Sequence, residues 1–451
     1  MRIDQKPVRT KATSARKIKA YEVYIMQLQT LRLGDAGPLV GFLQLVLKRL
    51  GFYSGKINYK FDGETERAVA AFQSALGLSS DGTVGQKTRA ALEPYFTGNY
   101  RYTVREGDTL FSIASKSGSN LKMLLAANDL ADPDNLFVGQ RIIVPFSEFV
   151  VPATLRFSSD VMNILLGSLC ARYPFLSLFS IGRSALGKDI AALRLGRGEK
   201  VVSYNASHHA NEWITSLLLV KFVEMFCHAL VTESRLGDYD PREVFDSASI
   251  YIVPMVDPDG VDLVTGQIAA GSEIYKNAEK LNIFGFPFPD GWKANIEGTD
   301  LNLNYPAGWE QARRIKFAQG FTSPAPRDFV GEYPLSAPES RAMAQFTKNL
   351  SPRLILAYHS QGEIIYWKFA DYDPPRGFEI AQRFSAVSGY SVETTPENSG
   401  YAGYKDWFIQ ENNLPGYTIE VGRGASPLPL EQFPKILSDN LGILMLAPLL
   451  A

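Results

Sequence analysis

The sequence predicts an α/β protein, a sandwich of helices around a mixed β-sheet, preceded by a small all-α unit and a small βααβ unit. Three observations lead there. Beyond Phe146, β-prone runs at 178–181, 190–195, 201–205, 250–254, 354–358 and 417–421 alternate with helical patterns, the mark of a sheet with helices on its faces. Before that point apolar residues recur at spacings of three and four, the period of amphipathic helices. The length, 451 residues, suits two or three domains.

Composition excludes several classes. With 45% apolar residues and a formal net charge of −1, the chain has no basic excess for nucleic acid and no acidic tail for a charged partner. Its two cysteines, Cys170 and Cys227, are too few for a disulfide framework. They sit in apolar helical patterns and read as buried thiols. Residues 1–20 are Lys/Arg-rich but lack the apolar core of a signal peptide. No stretch approaches the ~20 apolar residues of a membrane span, so none is expected. The apolar run 441–451 is short and interrupted by Pro448, and reads as a buried terminal helix.

Taken in order, residues 1–26 form a polar, flexible lead. Residues 27–96 form a compact helical unit, with Val40, Leu43, Leu47 and Leu50 in a first helix, Thr65, Val69 and Phe72 in a second, and Thr88 and Leu92 in a third. Asp62-Gly63-Glu64-Thr65 and Asp81-Gly82-Thr83-Val84-Gly85 read as two copies of one turn-then-helix device. Residues 101–146 read as strand, helix, helix, strand: Tyr102-Thr103-Val104, a helix start at Gly107-Asp108-Thr109-Leu110, a second helix ending at Asn128, and a return through Ile142-Val144-Pro145. The 27–96 unit resembles the three-helix peptidoglycan-binding domain of wall hydrolases. The 101–146 unit resembles a LysM module, which implies binding to the N-acetylglucosamine-containing glycan strand. The α/β domain is expected over 155–451.

That domain carries the most informative motif, His209-Ala210-Asn211-Glu212, after a β-prone run and before a helical pattern over 214–230. A His and a Glu three apart at a strand-to-helix junction can aim an imidazole and a carboxylate at one ion, and zinc accepts that mixture of N and O donors. The chain has four histidines, and a third candidate donor, His359, ends another apolar run. Glu420 lies inside the strand pattern Tyr417-Thr418-Ile419-Glu420-Val421, where an unpaired carboxylate is rarely buried without a functional role. His208 reads as a bystander and His228, on the following helix, as a satisfied helix histidine.

HxxE, a distant His and a strand-borne Glu, together with Ile181-Gly182-Arg183-Ser184, Pro254-Met255-Val256-Asp257-Pro258-Asp259-Gly260 and Gly298-Thr299-Asp300-Leu301-Asn302, resemble the zinc carboxypeptidase A family. Within it, the chain is most similar to the bacterial branch that cuts the γ-D-glutamyl–meso-diaminopimelate bond of peptidoglycan. The resemblance implies a carboxypeptidase-like fold and one zinc ion per chain held by His209, Glu212 and His359. It makes Glu420 the general base and peptidoglycan glycan strands and stem peptides the partners. Sporulation-associated members of that branch, and the absence of a legible signal, imply a cytoplasmic or sporulation-associated protein acting on cell-wall or spore peptidoglycan.

The departures from the family pattern bear on substrate. Asn211 stands where exo-acting members carry an arginine, Leu303 follows Asn302 where an Asn-Arg pair would clamp a terminal carboxylate, and Lys293 stands where an arginine would steady the oxyanion. Arg and Lys are not interchangeable in bidentate carboxylate binding. Lys405, in Tyr404-Lys405-Asp406-Trp407, falls at the family's specificity position and is expected to favour a carboxylate-bearing side chain such as that of diaminopimelate. Tyr401 and Tyr404 are both candidates for the family's mobile tyrosine. The alternatives are a wall-binding protein with an inactive peptidase fold and a conventional metallocarboxypeptidase.

Overall fold

Each buried glutamine of the helical unit organises the loop that follows its helix. The computed structural model describes residues 30–451 except 131, 133, 397 and 398; the lead expected over 1–26 lies outside the described residues. Helices α1 (Pro38–Arg49), α2 (Gly63–Ala75) and α3 (Gln86–Thr97) form the unit. Gln44 on α1 donates to Asn58, Lys60 and Thr65 and accepts from the Asn58 and Tyr59 amides. Gln73 on α2 donates to Asp81, Thr83 and Thr88 and accepts from the Gly82 amide. The two copies expected of one device are thus two uses of the same polar plug, every group of which is satisfied.

The next unit is βααβ: β1 (Asn99–Thr103), α4 (Leu110–Ser117), α5 (Leu121–Ala127) and β2 (Arg141–Pro145), with the strands antiparallel. Thr109 and Ser112 cap α4 reciprocally, which is why the chain turns helical there. Asn128 ends α5 and ties it to β2 through Ile143.

The remainder comprises α6 (Ser159–Arg172), β3 (Ser177–Arg183), β4 (Asp189–Gly196), β5 (Lys200–Ala206), α7 (Ile214–Thr232), α8 (Pro241–Ser247), β6 (Ala248–Val253), α9 (Pro258–Thr265), α10 (Glu273–Leu281), α11 (Trp309–Ala318), α12 (Pro338–Leu350), β7 (Leu354–His359), β8 (Ile364–Tyr366), α13 (Gly377–Ser388), β9 (Ser391–Glu393), α14 (Tyr404–Asn412), β10 (Gly416–Glu420) and α15 (Phe433–Leu450). The sheet order is β3-β4-β6-β5-β7-β10-β8-β9. Strands β6, β5, β7 and β10 run parallel at its centre, and buried apolar residues pack on both faces. All six expected strands are present. Strands β8 and β9, three residues each, are too short to show a period in sequence.

The helical unit is not a separate bead. Arg172 on α6 is fully buried and donates to the carbonyls of Gly98, Phe146 and Glu148. Glu224 on α7 accepts from the amides of Val150 and Val151. Two stretches, 210–232 and 430–450, are long and apolar enough to cross a membrane by length and composition, contrary to the sequence expectation. In the first, α7 is apolar all round because β5, α6, α8 and α15 surround it, as in the core helix of a globular domain.

Candidate metal centre and active-site cleft

Three neighbouring parallel strands end at one point. Strand β5 stops at Ala206, and Ser207 follows in the left-handed region at φ 50. The Ser207 amide then donates to Thr215 Oγ1, whose hydroxyl donates to the Glu212 carbonyl. This folds 210–212 into a single 3-10 turn and brings His209 and Glu212 to one side. In the parallel register of β7 and β10, His359 and Glu420 are direct partners, each the last residue of its strand. Carboxyl ends of adjacent parallel strands are where such sheets place their sites.

The donor atoms converge. His209 Nδ1 lies 2.9 Å from Glu212 Oε1, His359 Nδ1 2.9 Å from Glu212 Oε2, and the two Nδ1 atoms are 3.2 Å apart. Ligand atoms of all three residues lie within 4.8 Å of one another, and all three residues are buried. Two imidazole nitrogens and a carboxylate facing one point fit a cation better than they fit each other, and the set is that of a catalytic zinc site, with three protein ligands.

The second ring nitrogen of His209 faces Asp300 Oδ1 at 3.0 Å, while Asp300 Oδ2 accepts from the Asp328 amide at 3.1 Å. A carboxylate on the far side of a ligating imidazole fixes its tautomer and orientation. Asp300→Asn should therefore weaken zinc binding by about 10- to 100-fold, measured by chelator competition; unchanged affinity would show that packing alone orients the ring.

Electrostatics follow from burial and proximity. Burial acts to raise the pKa of Glu212, but His209, Lys293 and His359 outweigh it and hold it well below the carboxylate range. Burial likewise opposes a charged His209, yet Glu212 and Asp300 carry it up to about 9. Burial, reinforced by the charge of Glu212, pushes Glu420 up to about 8 against Lys293 and His209. Lys293 Nζ stands 3.1 Å from Glu212 Oε1. Burial would discharge it, but Glu212 and Asp300 raise its pKa instead.

A cleft of about 290 Å³ opens over this group, lined among others by His209, Lys293, Asn302, Lys405 and Glu420. Asn302 Oδ1 accepts from the Tyr404 amide at 3.0 Å. Leu303 packs with Trp309, Val330 and Ala402, so position 303 itself offers no charge to a carboxylate. Asn211 bridges the carbonyls of Asp290 and Ser426. His208 is buried against the Tyr305 hydroxyl, and the His228 ring packs on Phe149. Among the described residues neither Cys170 nor Cys227 forms a disulfide; Cys227 is buried and Cys170 partly so.

Two expectations are corrected. Tyr404 does not face the cleft: its ring is fully buried and its hydroxyl bonds Thr347 Oγ1 at 2.8 Å. Tyr401, the other candidate, packs on Phe369 and lines a neighbouring pocket that shares Thr395 with the cleft. Lys405 is no lone charge: it is 3% exposed, lies 2.5 Å from Asp406 Oδ1 and also donates to the Lys368 carbonyl and Thr395. An ammonium in that neutral pair offers no net charge to an incoming carboxylate. Residues not foreseen from sequence are Asp300 as orienting group and Tyr366, Lys316, Arg327 and Asp328 in the lining. Asp300 lay inside a segment already matched to the family, and that was its one signal.

Comparison with known proteins agrees with this geometry. Three family descriptions match: zinc carboxypeptidase over residues 162–442, a peptidoglycan binding domain over 36–92 and a LysM domain over 102–145. The chain is 40% identical over 273 residues to gamma-D-glutamyl-L-diamino acid endopeptidase 1 of Lysinibacillus sphaericus, covering 60% of this chain and 67% of that protein. It is 41% identical over 279 residues to the uncharacterized protein YqgT of Bacillus subtilis (strain 168), covering 60% and 72%. Among solved structures, thrombin activatable fibrinolysis inhibitor aligns with a TM-score of 0.51 at 14% identity, covering 78% of this chain and 97% of that one. That likeness is one of fold.

Proposed function

The chain belongs to the zinc carboxypeptidase family, and on that premise we propose that it hydrolyses the γ-D-glutamyl–meso-diaminopimelate bond of peptidoglycan stem peptides. The observation that carries this reading is the register pairing of Glu420 with His359 beside the convergent His209 and Glu212, in a cleft where Leu303 stands in place of a carboxylate-clamping arginine. His209, Glu212 and His359 would hold the zinc. When bound, it supplies a Lewis acid that polarises the scissile carbonyl and lowers the pKa of water towards neutrality. Glu420 takes the proton of the attacking water and hands it to the nitrogen of the leaving amine. Lys293 faces the oxygen on which negative charge develops, as a point charge without the fork of an arginine. Asp300 holds His209 in orientation through this sequence.

Support for the substrate comes from outside the catalytic group. A relative at 40% identity is named for γ-D-glutamyl-L-diamino acid bonds, and the chain carries two wall-binding modules. The LysM unit exposes Phe111, Phe137 and Val138, apolar surface suited to the faces of sugar rings. Modules of this kind raise the effective concentration of an enzyme at an insoluble polymer; the site of action is accordingly the peptidoglycan of cell wall or spore. An inactive binding fold has no need of Glu420 beside all three donors, and a conventional carboxypeptidase needs the clamp that is missing.

The test is incubation of the purified protein with L-alanyl-γ-D-glutamyl-meso-diaminopimelyl-D-alanine and identification of products by mass. Release of L-alanyl-D-glutamate is expected. Release of terminal D-alanine alone would favour the conventional carboxypeptidase.

A further inference from the structure

The segment joining α11 to α12 has no regular structure, yet its backbone is pinned to the catalytic group. The amides of Lys293 and Ala294 both donate to the Pro326 carbonyl, at 2.7 and 2.8 Å, the Ala325 amide donates to Gly298, and the Asp300 amide donates to Phe329. Asp328 sits in the left-handed region at φ 67, where a non-glycine residue is uncommon and held only by surrounding structure. Its amide is held by Asp300, and its carboxylate is clamped between Lys316 Nζ at 2.5 Å and Arg327 Nε at 2.7 Å. The strained residue thus fixes the direction of the side chain before it.

Two cations share the one carboxylate of Asp328, so among these three side chains one positive charge is left over. The Lys405–Asp406 pair at the Thr395 end leaves none. The Arg327 guanidinium lies 5.8 Å over the Phe286 ring, and by hydrogen bond only its Nε is engaged; among the described residues its two terminal nitrogens have no hydrogen-bond partner, and the side chain is 40% exposed in the cleft lining. Arg327 is within electrostatic reach of Asp300 and Glu212 and adjoins the residue that anchors Lys293. It therefore lies on the side where the scissile carbonyl is polarised.

Resting on the proposed function, we infer that Arg327 determines specificity by taking the free α-carboxylate of the γ-D-glutamyl residue. In a γ-linked glutamate the carbonyl under attack belongs to the side chain, and the α-carboxylate stays free a few bonds away on the acyl side. An α-linked peptide has no charge there. A planar guanidinium whose terminal N–H edge is unused is matched to a carboxylate in a way an ammonium is not.

The experiment compares two tripeptides, L-alanyl-γ-D-glutamyl-meso-diaminopimelate and the same compound with the glutamyl α-carboxylate amidated, on the full zinc-loaded chain. The unmodified protein should favour the free acid by about 10- to 100-fold in kcat/KM, the worth of a charge-assisted hydrogen bond. In Arg327→Ala that ratio should fall to near one, and Arg327→Lys should restore part of it. Equal turnover of the two by the unmodified protein, or an unaltered ratio in Arg327→Ala, overturns the inference. Calorimetry with L-alanyl-D-glutamate and L-alanyl-D-isoglutamine on the unmodified chain and on Arg327→Ala reads the same site without turnover. A preference for the acid that Arg327→Ala loses supports it, and equal binding by the unmodified chain or a preference kept in the variant overturns it. Cleavage of neither tripeptide would overturn the proposed function, while the calorimetry would still decide Arg327.

Discussion

Glu420→Gln should retain zinc and lose about 10²- to 10⁴-fold in kcat, the range carried by a positioned proton-transfer group. The amide has nearly the shape of the carboxylate, so the β10–β7 register that sets Glu420 beside His359 should survive. What is lost is the ability to accept the water's proton. Burial and the neighbouring Glu212 push the carboxyl up to about 8. Metal content and steady-state kinetics on the diaminopimelate tripeptide check the expectation. Turnover within a few-fold of the unmodified protein would remove Glu420 from the mechanism.

His359→Ala should lose zinc and activity together, and chelation of the unmodified protein should do the same while circular dichroism stays native. His359 supplies one of three donors, and two donors hold zinc poorly. The fold does not depend on the ion, because the central strands are buried on both faces by extensive apolar clusters, unlike a zinc finger that folds only around its metal. Full zinc occupancy in the variant would take His359 out of the ligand set, and unfolding on chelation would mean that the metal carries part of the domain's stability.

Much of the molecule was legible without coordinates. The period-3.6 and β-prone runs marked the helical unit, the βααβ unit and six of the eight strands of the large sheet, because those elements bury whole faces and the pattern repeats along the chain. The grouping of His209, Glu212 and His359 and the place of Glu420 beside them were legible for a related reason. His209 and Glu212 are local neighbours across one turn, and His359 and Glu420 each end a strand whose apolar run announces it.

Residue order alone was enough to say which elements form, which donors stand at strand ends and which family the domain resembles. How the charges pair was settled in three dimensions. Folding placed Asp300 behind His209, took the net charge from Lys405 through Asp406, buried the Tyr404 ring and brought Arg327 into the cleft lining. It also joined the helical unit to the peptidase core through Arg172. These partners lie on loops without periodicity, far apart in the chain. Their meeting is set by backbone hydrogen bonds such as Lys293 and Ala294 to Pro326, and nothing in the local pattern of residues records those bonds.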